Sequence, residues 1–140
     1  MRISARCDYA CRALLELALH WPNRQPVQTS AISEKQGIPM KYLVQILIQL
    51  KRMGLVESVR GKQGGYYLAK PPDKISLGEV IREVGGPLLP MANSATKKES
   101  VFATIWTEVE EAMAKVLDKV TFEDILNKAK GMEGAIVYQI

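Results

Sequence analysis

Between residues 29 and 70 the hydrophobic period changes, and that change limits the fold more than any other feature of the chain. A short helical stretch runs from about Ser30 to Gln36, with Thr29 or Ser30 as its cap and Gly37 as its stop. A second begins near Pro39, a residue suited to a first helical turn, carries Leu43, Ile46, Leu47 and Leu50 on one face and stops at Gly54. The period then falls to two. Leu55-Val56-Glu57-Ser58-Val59 alternates and is rich in β-branched residues, Arg60-Gly61-Lys62-Gln63-Gly64-Gly65 is a flexible tip, and Tyr66-Tyr67-Leu68-Ala69 is the returning strand. Two short helices about the turn Gly37-Ile38-Pro39 make a helix-turn-helix, and the hairpin directly behind them makes a β-wing.

The flanks add helices. Tyr9 to His20 places Ala10, Ala13, Leu14, Leu17 and Ala18 at helical spacing before Pro22, Asn23 and Pro26 end the run. Pro71-Pro72 closes the wing, and Ser76-Leu77-Gly78-Glu79 is a capping box for a helix to about Val84. Gly85 to about Lys98 is expected to be a loop, with Lys97, Lys98 and Glu99 solvated. A long helix follows from about Glu99 to Lys119, with Phe102, Ile105, Trp106, Val109, Ala112, Met113, Val116 and Val120 in a heptad-like stripe. Thr121-Phe122-Glu123-Asp124 starts a last short helix to about Lys130, and the apolar tail from Ala135 to Ile140 is expected to pack on something. The fold class is mainly α with a small β-wing. Residues 1–84 form a winged helix-turn-helix domain, 85–98 a loop, and 99–140 a long dimerisation helix, a short last helix and a tail.

Charge points to the partner. Residues 1–75 hold twelve Lys or Arg against five Asp or Glu, a net of +7, while residues 76–140 hold seven against ten, a net of −3. A basic half suits a polyanion, double-stranded DNA first. The second helix of the pair offers Met40, Lys41, Tyr42, Val44, Gln45 and Gln49 at or near its start. Gln reads adenine in a bidentate manner, Lys reads guanine or pairs with phosphate, and Met40 and Val44 suit a thymine methyl. In the wing, Ser58, Arg60, Gly61, Lys62 and Gln63 are placed for a minor groove or the flanking phosphates. The plainer alternatives are an amphipathic core helix and a hairpin with exposed charges, and the two features in succession weigh against both.

Other chemistries are poorly served. The glycine-rich tip lacks the spacing of a nucleotide-binding loop, and no nucleophile–base pair, paired carboxylates in a glycine-framed pocket or metal-ligand spacing appears, so no enzyme is expected. No apolar run of membrane-spanning length occurs and the first residues lack the apolar core of a signal peptide, so a cytoplasmic protein without membrane contact is expected. Cys7 and Cys11 lie one helical turn apart on one face, with Asp8 beside them. They are either a thiol switch or soft-metal site, or two small half-buried residues. His20, at a helix end, is expected to be structural.

The runs MRISARCDYACRALLELA, GIPMKYLVQILIQLKRMGLVESVRGKQGGYYLAKPP and ISLGEVI resemble the Rrf2 family of transcription regulators, which includes an iron–sulfur cluster regulator and a cysteine-metabolism repressor. The resemblance extends through about Asn127. It implies a homodimeric regulator, a repressor in the main expectation, that binds a partly palindromic operator. Phe102, Ile105, Trp106, Val109, Met113 and Val116 would then form the dimer seam, the alternative being an intramolecular core helix. Many members hold an iron–sulfur cluster through three loop cysteines, but this chain has no cysteine between Gly85 and Trp106. Ser100 stands where the family's last cysteine often sits, Ala103 where some members have a histidine ligand, and Asp8 where some supply a further ligand. Hydroxyl and methyl groups are poor iron ligands, so no cofactor is expected. Natural loss and replacement of those cysteines both fit the sequence. The effector is left open between a small molecule and a partner protein. The alternative function is a protein-interaction module that docks an enzyme or other partner.

Overall fold

The computed structural model describes residues 3–89 and 100–139, with side chains as far as Glu133. Helices α1 (Ala5–Ala18), α2 (Thr29–Gln36) and α3 (Met40–Arg52) precede an antiparallel pair, β1 (Val56–Val59) and β2 (Gly65–Leu68). A 3-10 turn at Pro72–Lys74 leads into α4 (Leu77–Gly85), and α5 (Val101–Lys119) and α6 (Phe122–Gln139) complete the chain. The winged architecture expected from the changing period is present. The two strands pair from Val56 with Leu68 to Val59 with Gly65. Val27 adds a bridge to Tyr66, through N–H···O bonds of 2.7 and 2.9 Å.

The core gathers the apolar faces of the first helices. Ala10, Ala13, Leu14 and Leu17 of α1 meet Ile32 of α2 and the whole inner face of α3, Leu43, Ile46, Leu47 and Leu50. Leu55, Val56 and Leu68 from the wing base, with Ile75, Val80 and Phe122, close the cluster. Gly37 ends α2 in the left-handed region at φ 64°, where a side chain would be strained, and its N–H reaches the Ser33 carbonyl.

Three boundaries differ from the expectations. α1 starts at Ala5, four residues before Tyr9, because the Ser4 hydroxyl accepts the Cys7 N–H at 3.1 Å and caps a turn that carries little apolar signal. α2 is capped by neither hydroxyl. Its N-cap is Gln28, which makes no side-chain cap bond, because the Val27–Tyr66 bridge already sets where the chain enters the helix. α6 passes Lys130 and runs to Gln139, since an isolated glycine such as Gly131 costs a helix only about 1 kcal/mol and does not stop it. The packing expected of the apolar tail, and the loop between 90 and 99 with Lys97, Lys98 and Glu99, fall outside the described side chains and residues.

Both expected capping boxes are reciprocal. Ser76 Oγ accepts from Glu79 N while Glu79 accepts from Ser76 N, and Thr121 pairs with Asp124 in the same way at 3.0 and 3.1 Å. The two boxes lie side by side. Leu77 N donates to Val120 O and Phe122 N to Ile75 O, which inserts Phe122 into the core and returns α6 to the helices around it. At the same place Arg82 pairs with Asp118 at 2.7 Å, and any side chain on Gly78 would overlap the Asp118 carboxylate. α5 is thus fastened at its C-terminal end, yet it buries none of its residues.

Candidate nucleic-acid interface

The outward face of α3 is free for a ligand. Met40, Lys41, Tyr42, Val44, Gln45 and Ile48 are exposed, and the opposite face is wholly buried. α1 holds this face in place. The Tyr42 ring stacks on Tyr9 with centroids 6.1 Å apart. Lys41 Nζ lies 5.0 Å from the Tyr42 centroid, and the Arg12 guanidinium 4.9 Å from that of Tyr9. Arg12 also donates to the Gln36 carbonyl at 2.6 Å, where the end of α2 favours a cation, and to Asp8 at 3.0 Å. Asp8 is therefore a partner of Arg12 in the first turn of α1.

Gln49 occupies a different position from Lys41, Tyr42 and Gln45. It is half-buried, its amide oxygen accepts from Arg6 at 2.8 Å, and its amide nitrogen donates to the Glu83 carbonyl at 3.0 Å. It ties α3 to α1 and α4 beside an open groove lined by Arg6, Gln45, Ile48, Arg52, Glu79 and Glu83. Tyr9, Arg6, Arg12 and Arg52 were not singled out from the sequence. Cations at the edges of a helix-turn-helix are a weak signal, and contacts between residues 33 or 43 apart leave no local pattern. A second tie uses the buried carboxylate of Glu16, 3% exposed, which accepts from Gln36 Nε2 at 3.0 Å with Lys35 and His20 within 4 Å. His20 stands at this structural pairing.

The wing is attached to both helices. Lys51 Nζ donates to Ser58 Oγ at 2.7 Å, and Gln28 Nε2 donates to the Lys62 carbonyl at 3.2 Å. Arg60, Gly61, Lys62 and Gln63 are exposed at the tip, and among the described residues neither Arg60 nor Lys62, nor Lys41 on α3, is in an ion pair. A Cβ on Gly64 would overlap the Val59 carbonyl and one on Gly65 the Val27 carbonyl, so this tight closure requires glycine. Unpaired surface cations on a narrow hairpin favour a dense row of anions such as phosphates.

The stripe on α5 divides. Phe102, Ile105, Trp106, Val109 and Val116 are exposed, with Phe102 at 59% and Val116 at 64%, and Phe102 stacks on Trp106 at 6.2 Å. Met113 is half-buried and turns with Ala114 and Leu117 toward Cys7, Ile81 and Leu88. Ser100 caps α5 by accepting from Phe102 N at 3.2 Å.

Cys7 is buried and Cys11 half-buried. A hydrogen bond from the Cys11 thiol holds the Cys7 pKa below that of a free thiol, against burial and the Asp8 charge. The same bond, then burial, pushes Cys11 up. These donors do not fit an iron–sulfur cluster, which takes four ligands, largely thiolates. The chain has two cysteines, both on α1, and no three His, Cys, Asp or Glu converge among the described residues.

A family model described as an iron-dependent transcriptional regulator, Rrf2, matches residues 3–128. The chain is 31% identical to the HTH-type transcriptional regulator CymR of Bacillus subtilis over the full length of both. It is 35% identical to the HTH-type transcriptional regulator IscR of Erwinia tasmaniensis, over 91% of this chain and 79% of that protein. Among solved structures it is similar to T. potens IscR, with a TM-score of 0.77 and 36% identity over 92% of this chain and 88% of the other.

Proposed function

Because the chain belongs to the Rrf2 family of DNA-binding transcription regulators and is not an enzyme, we propose that it represses transcription as a homodimer bound to a partly palindromic operator. The observation that carries this is the pairing of an exposed, unpaired basic reading face on α3 and the wing with a long helix that buries none of its residues. A twofold axis through α5 would give each half-site one α3 and one wing, and operator symmetry would follow the protein's. Gln45 and Lys41 read base edges, Tyr42 is held against them by Tyr9, and Arg60 and Lys62 grip the flanking groove. Gln49 positions α3, and Arg6 and Arg52 supply phosphate contacts beside it. No helix among the described residues is long and apolar enough to cross a membrane.

Selection of bound sequences from a random duplex pool tests this reading. The expected product is one motif with two inverted halves spaced by about one helical turn. Recovery of no motif, or of an asymmetric one bound by a monomer, would overturn it. In the same assay Arg60→Ala is expected to weaken binding to the selected site by about 1–3 kcal/mol. An unchanged titration curve removes Arg60 from the contact. Gln45→Ala is expected to relax preference at one position of each half-site, and a second selection returning the original motif would assign the reading to other residues.

A further inference from the structure

We propose that Cys7 and Cys11 form a two-coordinate site for a soft cation of the Cu(I) class. The two thiols are four residues apart, one turn along one face of α1. Cβ atoms at that helical spacing lie about 5–6 Å apart. A disulfide needs about 3.8 Å, so the pair cannot close one while α1 stays helical. A soft ion held linearly between two thiolates sets the sulfurs roughly 4–5 Å apart, which Cβ atoms about 5–6 Å apart allow. Thiolates select soft ions, and the absence of a third convergent ligand among the described residues disfavours a tetrahedral ion such as zinc.

The surroundings of Cys7 favour a thiolate and leave room for a small guest. Cys7 is the third residue of α1, where the positive end of the helix dipole stabilises a thiolate. It is 1% exposed and its sulfur faces Gly85, where any side chain would approach it to 3.6 Å. A recess of about 10 Å³ lined by Ile3, Ser4, Cys7, Ile81, Gly85 and Leu88 reaches it. That is the room of one water-sized body, enough for an ion and too little for an organic effector. The Asp8 carboxylate is exposed and paired with Arg12 at 2.9 Å. Binding forms two S–Cu bonds and releases the thiol protons, with no change of oxidation state.

The test is an anaerobic competition titration of the full chain with Cu(I) held by bathocuproine disulfonate. One Cu(I) per chain should leave the chelator, with two sulfurs in its X-ray absorption shell. Cys7→Ser and Cys11→Ser should each lower the affinity by at least about 100-fold, more than the loss of an outer-shell partner costs. If Cys7→Ser fails to fold, Cys11→Ser and Cys11→Ala, at the half-buried position, decide the matter. No Cu(I) uptake, single variants with unchanged affinity, or a shell without two sulfurs would each overturn the site. The titration is read on free protein, so its failure leaves the operator-binding reading standing.

Discussion

A chain carrying Trp106→Lys and Val109→Lys is expected to sediment as a monomer and to bind the operator about 100- to 10,000-fold more weakly than the parent. The reason lies in what α5 lacks. It is 19 residues long and buries none of them, while Trp106 is 37% exposed and stacks on an even more exposed Phe102. A large apolar side chain gains about 1.5–3 kcal/mol on full burial. A helix that leaves this many in water gains from covering by a second surface, and in the homodimer proposed above that surface is the twofold mate, which closes without forming fibres. Two lysines at the centre of that seam place charges where neither finds a partner. The fold of the protomer should survive, because both replaced side chains already face solvent, and helical circular dichroism should therefore be retained. The loss in affinity is that of turning one bivalent event into two independent ones. Dimers that persist at micromolar concentration, with operator affinity intact, would place the seam elsewhere.

Operator affinity should also fall about a thousandfold or more between 50 and 200 mM salt. Lys41, Arg60, Lys62, Arg6 and Arg52 are exposed, and three of them on phosphates in each protomer would make about six contacts in a dimer. Each neutralised phosphate releases condensed counterions, and the logarithm of the binding constant falls by about 0.9 per contact for each tenfold rise in salt. Replacing Arg52 or Lys62 with Ala should reduce that slope by about one and weaken all sequences alike, unlike the base-specific effect expected of Gln45. A flat salt dependence, measured by fluorescence anisotropy on the selected site, would mean that the basic half of the chain is not the contact face.

Much of this candidate interface is legible in the sequence because its signals are short-ranged. The Leu43-Ile46-Leu47-Leu50 stripe, the glycine ending α2, the reciprocal boxes at Ser76 and Thr121 and Gly64 of the wing act within a few residues, where period and capping chemistry suffice. Where competing local signals coexist, the sequence misleads. Thr29 and Ser30 are good caps in isolation, yet the bridge from Val27 to Tyr66, made across 39 residues, sets the entry to α2 instead. The early start of α1 was hidden for the opposite reason, since Ser4 caps a turn whose first residues carry no apolar stripe.

By itself, then, the sequence determined the element types, the inward face of α3 and the wing, since these depend on spacings of two to four residues. Only the tertiary structure decided which polar side chains are already spoken for. Gln49 is bonded to Arg6 and Glu83, Tyr42 is stacked on Tyr9, and Ser100 caps α5. It also split one heptad stripe into Met113, turned toward Ile81 and Leu88, and an exposed remainder. The physical reason is that periodicity shows which residues share a face, whereas the angle and depth at which helices pack decide whether that face meets a neighbour or water.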